Sequence, residues 1–172
     1  MIMSDYHLDI QHVKAFEVFV NWLYNKAPTV PKSQAQAKTL IQAYLIALKY
    51  QAYPLQDLIV DCLRRHFAEN TFSFDQLFIY LLNRHGDDPH CKLIRYFVDQ
   101  IAYEIYSRGY QPFKTEGGNL GIDTFLKDRV GGVVRQALFI ALAKLAHQAK
   151  EQKRIVDPAV SMTHDYYATV LL

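Results

Sequence analysis

The chain has 172 residues, 51% of them apolar and 13% aromatic, which is enough to bury a core in one domain and excludes disorder over most of its length. Its 19 Lys and Arg against 17 Asp and Glu leave a net charge of +2, so composition supplies neither a nucleic-acid footprint nor a strongly acidic partner surface. The two cysteines, Cys62 and Cys91, fall in apolar helical patterns and read as buried free thiols of a reducing compartment.

Residues 1–11 carry no strong signal, and no basic segment followed by an apolar one marks a signal peptide. From His12 to Asn25 the period is helical, with Val13, Phe16, Phe19, Val20 and Leu23 on one stripe. Trp22 and Val18 lie off it, so this helix is expected to touch neighbours on more than one side. Lys26 to Ala37 holds two prolines among small polar residues and reads as a flexible, exposed connection.

The chain is organised around Lys38 to Phe67, which reads as two amphipathic helices broken at Tyr53-Pro54. Proline cannot continue a helix but suits the first turn of a new one. In the second helix, Leu55, Leu58, Ile59, Cys62, Leu63 and Phe67 recur at helical spacing and predict a core-facing stripe. Gln56, Asp57, Asp61, Arg64 and Arg65 fall mostly on the other face.

A further stripe, Phe74, Leu77, Phe78, Leu81 and Leu82, predicts a helix ending at Gly86. Asp87-Asp88-Pro89 reads as the acidic, proline-bearing start of the next, which carries Cys91, Ile94, Val98, Ile101 and Ile105 and stops near Gly109. Tyr96, Phe97, Tyr103 and Tyr106 widen its apolar surface, so it is either packed on two sides or partly a docking face. Residues 110–131 contain Pro112, Gly117, Gly118 and Gly121 and predict a long loop with Phe113 near its start. From Gly132 a last long helix carries Val134, Ala137, Leu138, Ala141, Leu142 and Leu145, then turns basic at Lys150, Lys153 and Arg154. The tail, with Tyr166, Tyr167, Val170, Leu171 and Leu172, is too apolar for a solvated end and is expected to pack back on the body or to bind a partner.

Period-2 alternation is nearly absent, so the fold class is all-α: a bundle or stack of helical hairpins with about six main helices. The organisation is a helical region over 1–109, a Gly-rich loop over 110–131, and a long helix with an apolar tail over 132–172 on the same domain. No run reaches the roughly 18 apolar residues that span a bilayer, so a cytoplasmic or nuclear protein is expected.

Chemistry finds little purchase. His85, Asp87, Asp88, His90 and Cys91 are the densest set of metal-ligand types, yet the two aspartates are helix-start residues and no paired C-x-x-C exists, so no metal is expected. The glycine pair in TEGGNLGID follows no strand and precedes no Gly-Lys-Ser/Thr, so it fails as a phosphate loop. No serine sits on an elbow motif, and thiols in apolar stripes are inert. No arrangement nominates a reaction, and neither a cofactor nor an enzymatic activity is expected. Arg64-Arg65-His66 and the basic run at 150–154 are too short to suggest nucleic-acid binding.

One resemblance adds a functional expectation. Phe16, Glu17, Phe19, Trp22, Leu23 and Tyr24, then Ala43, Tyr44, Ala47 and Lys49, then Pro54, Leu55, Gln56, Asp57 and Ile59 resemble the C-terminal helical half of BTB/POZ domains, in the form common in fungal proteins. With the helices that follow, the resemblance covers roughly residues 12 to 108. The β-sheet half that precedes these helices in the family, and supplies its usual dimerisation surface, has no counterpart in residues 1–11. The resemblance implies a non-enzymatic protein-interaction module, a degenerate ubiquitin-ligase adaptor or scaffold with another protein, such as a cullin-type scaffold, as its partner. Nucleic acid and membrane are not expected partners, and the oligomeric state is open, with a monomer the starting expectation. Tyr96, Tyr103, Tyr106 and Phe113 are the candidate partner-binding residues. The alternative is a helical regulatory domain holding a small apolar or aromatic ligand in a pocket lined by Tyr and Phe.

Overall fold

The computed structural model describes residues 10–70, 81, 85, 88, 91–109, 132–151, 153–160 and 166. Five helices run through them: α1, Ile10–Leu23; α2, Gln34–Lys49; α3, Tyr53–Glu69; α4, Lys92–Arg108; and α5, Gly132–Lys150. Among the described residues there is no strand, and no helix is long and apolar enough to cross a membrane. The helix expected over 74–83 lies outside the described residues apart from Leu81, which is helical and fully buried. The loop over 110–131 and the last six residues also lie outside them.

The chain forms two compact units divided inside α3, between His66 and Phe67. In the first unit α1 packs on α2. Ser33 caps α2 from an extended backbone, its hydroxyl accepting the Gln36 N–H, while the Gln36 carboxamide oxygen accepts the Lys32 N–H at 2.7 Å. One orphan donor of the first turn is thereby satisfied, along with the N–H just ahead of the cap. This cap draws residues 34–37 into the helix, so the connection is shorter than its composition suggests. It is also tied down. The Cys62 thiol donates to the Pro28 carbonyl at 3.5 Å, and His66 Nδ1 lies 3.0 Å from the Pro31 carbonyl. A carbonyl can only accept, so that ring nitrogen carries the proton. Cys62 and His66 sit one turn apart on α3, and Pro31 is buried. The connection read as flexible is held at two carbonyls.

The break between α2 and α3 falls at residues 50–52, ahead of the Tyr53-Pro54 position predicted for it. Gln51 takes φ +54° and donates to the Leu48 carbonyl at 3.2 Å, while Ala52 N–H reaches the Ala47 carbonyl at 2.8 Å. This is the Schellman ending, which satisfies the last carbonyls of a helix and places one residue in the left-handed region that glycine favours. Pro54 then occupies the first turn of α3, where its missing N–H costs nothing. Gln51→Gly is expected to raise stability by about 0.5–1 kcal/mol, read as a higher urea midpoint at unchanged slope.

On α3, Leu55, Ile59, Cys62, Leu63 and Phe67 are buried as the spacing predicts, but Leu58 is exposed. Gln56 and Arg64, read as polar-face residues, are buried with Val60 in a second row. The Gln56 amide donates to the Ala47 carbonyl at 3.2 Å, and the Arg64 guanidinium lies 3.3 Å from Asp61. Buried polar groups are tolerated where such partners exist.

In the second unit α4 and α5 pack together. α4 starts at Lys92, three residues past the proline start expected at Pro89, with Cys91 at its N-cap and no side-chain cap. It ends where Gly109 takes φ +79° and donates to the Ile105 carbonyl at 2.9 Å. Its buried residues, among them Leu93, Tyr96, Phe97, Val98 and Ile101, reach around most of its circumference, so it is packed on more than one side. Phe67 meets Phe97 edge-on at 6.1 Å. Tyr166 is buried against the same helix: its hydroxyl donates to Asp99 at 2.9 Å and its ring meets Tyr96 at 5.4 Å. On α5 the residues buried are Val134, Leu138 and Ala141.

Candidate functional site

The residues singled out as partner-binding do not assemble into a surface. Tyr96 is fully buried, its ring 5.6 Å from Phe97 and 5.4 Å from Tyr166, so it belongs to the core of the second unit. The reason is its company: a tyrosine flanked by Phe97 and facing a second aromatic gains more by burial than by display. Tyr103 is half-buried, Tyr106 is exposed, and Phe113 lies outside the described residues.

Among the described residues α1 carries a row of exposed apolar side chains, and Phe139 and Ile140 on α5 are exposed as well. α1 has three faces. Ala15, fully buried, with the half-buried Phe19 and Trp22, recurs at i, i+4 and i+7 as the inward face. Phe19 anchors an aromatic chain, its ring 6.1 Å from Trp22 and 5.4 Å from Tyr50 at the end of α2. A second face, Lys14, Glu17 and Asn21, lines a polar groove of 560 Å³ that the 26–31 connection and the first turns of α2 complete. The third face carries the stripe visible in the sequence apart from Phe19, and it points outward. Val13 is 45% exposed, Phe16 49% and Leu23 58%, with Val20 half-buried between them. The stripe's existence was legible in the spacing. Its direction was not, although a small Ala15 in register with Trp22 was the available signal for the face that meets α2.

A groove of 390 Å³ lies between α4 and α5, floored by Cys91, Ile94, Val98 and Val134, with Arg95 and Lys144 at its edge. Among the described residues, neither groove has a tyrosine or phenylalanine on its lining. Burial pushes the Cys91 thiol up to about 12 and raises that of Cys62, with Arg65 partly offsetting the second. Both thiols are therefore protonated and unreactive at neutral pH. Among the described residues no three His, Cys, Asp or Glu side chains gather as metal ligands.

These features define an all-helical protein with an outward apolar helix face. No family model, no curated protein and no solved structure matches the chain.

Proposed function

We propose that this chain is a non-enzymatic protein-interaction module of BTB-like helical type that docks its partner on the outward face of α1. The observation that carries the reading is the stripe Val13, Phe16 and Leu23, apolar, on one side of a regular helix, and left to solvent. A helix that presents an apolar stripe is a recurrent way of engaging a partner, because covering the stripe removes it from water without requiring the backbone to change. The segments that carry the BTB resemblance are each helical, which favours the same reading: Phe16 to Tyr24 on and just past α1, Ala43 to Lys49 on α2, Pro54 to Ile59 on α3. Two neutral, buried thiols add nothing nucleophilic.

In its specific form the module is a degenerate adaptor or scaffold, and the first partner to test is the N-terminal region of a BTB-binding cullin. Light scattering on a sizing column is expected to give a complex with the summed mass of the two, lost on Phe16→Glu. Co-elution that Phe16→Glu leaves untouched would move the docking face off α1. No complex at all would remove the cullin and the adaptor role.

A further inference from the structure

We infer that a second copy of this chain covers the α1 face, the two helices pairing antiparallel about a twofold axis beside residue 18. This rests on the reading of that face as a docking surface and names its occupant. The spacing of Val13, Phe16, Val20 and Leu23 is 3, 4, 3, the a and d positions of two heptads. Such a spacing suits packing against another helix by knobs into holes. α1 uses a different face, Ala15 with Phe19 and Trp22, for its own unit.

Self-pairing is favoured by the order of sizes along the seam. An antiparallel twofold pairs Val13 with Leu23 of the other copy and Phe16 with Val20, so each larger side chain meets a smaller one and the pattern closes on itself. A parallel pair would set the two Phe16 rings against one another. The overlap of Val13–Leu23 spans about 15 Å at 1.5 Å per residue. Tyr24, just past Leu23, is 76% exposed and extends the apolar area at the end of the helix. With full aromatic side chains of about 150–250 Å², the patch offers on the order of 500 Å² per copy. That is at the lower edge of specific interfaces, so a dissociation constant on the order of 10–100 µM is expected, and the chain dimerises only when concentrated.

Glu17 gives the arrangement a distinctive property. It flanks the seam at an e position, and in antiparallel pairs e positions face e positions, so the two Glu17 carboxylates approach across the axis. Like charges there weaken association. Glu17→Gln and added salt are each expected to tighten the dimer several-fold.

Sedimentation equilibrium from about 5 to 500 µM tests this, with circular dichroism to verify that each variant keeps its helix content. The expected result is a rise in mass toward two copies, abolished over that range by Phe16→Glu and by Leu23→Glu. Disulfide trapping gives a second readout independent of charge: Val13→Cys mixed with Leu23→Cys is expected to cross-link under mild oxidation, and neither variant alone. The buried, protonated Cys62 and Cys91 leave that reaction clean. A chain monomeric to 500 µM, a dimer indifferent to both glutamates, or cross-linking of Val13→Cys with itself each overturns the proposal. If the chain is monomeric but binds the cullin fragment through Phe16, the docking reading survives and only the second copy is excluded; if neither association occurs, both fall.

Discussion

Replacing Phe97 by alanine is expected to cost about 3–5 kcal/mol of stability, the usual range for deleting a fully buried aromatic ring. Phe97 has no exposed surface, faces Phe67 edge-on at 6.1 Å and touches Tyr96 at 5.6 Å. Truncation removes the transfer free energy of the ring and both aromatic contacts, and leaves a cavity in a helix packed on more than one side. Against a total stability of about 5–15 kcal/mol for an ordinary domain, such a loss is about a fifth or more of what holds the fold. The urea midpoint should fall accordingly, while Tyr106→Ala, at an exposed position about two and a half turns further along α4, should change stability by no more than about 0.5 kcal/mol. A Phe97→Ala chain within 1 kcal/mol of the parent would mean that the ring is not packed as described.

The second large effect is alkaline. Burial holds the Cys91 thiol at about 12 in the folded chain, from an ordinary 9.0, with a smaller contribution from the Asp88 carboxylate in the same direction. The folded state thus binds more protons than the unfolded state between those values. Stability is unaffected below about pH 9 and is lost as pH rises toward 12, by up to about 4 kcal/mol at about 1.4 kcal/mol per unit. Tyrosines and lysines titrate over the same span, so the informative quantity is a difference. Cys91→Ala is expected to flatten the alkaline limb of a stability-versus-pH curve relative to the parent, leaving the curves parallel from pH 6 to 8. Parallel curves throughout would place the thiol in contact with water.

The fold class was written in the spacing because a 3.6-residue period of apolar side chains has few solutions other than an amphipathic helix. α1 lies within two residues of its expected ends, and five of the six stripe positions predicted on α3 are buried. Boundaries moved where a local hydrogen bond outweighed the signal used to draw them. Ser33 with Gln36 started α2 four residues early, and the left-handed turn at Gln51 ended it before Pro54. Cys91 stands at the N-cap that the Asp-Pro pair was expected to supply. Each rests on backbone donors and acceptors that residue type only partly reveals.

What the sequence determined by itself is the helical class of the fold and most of each helix face, with Phe19 on α1 and Gln56, Leu58 and Arg64 on α3 falling elsewhere. What only the tertiary structure decided is which of those faces turn inward. Apolar side chains on α1 and on α4 met opposite fates: Tyr96 and Phe97 were enclosed, while Phe16 and Leu23 were left to solvent. Period reports the geometry of a side-chain row along its own helix. Burial depends on what the rest of the chain brings against that row, and a small residue such as Ala15 can win the close approach because it lets another backbone come near.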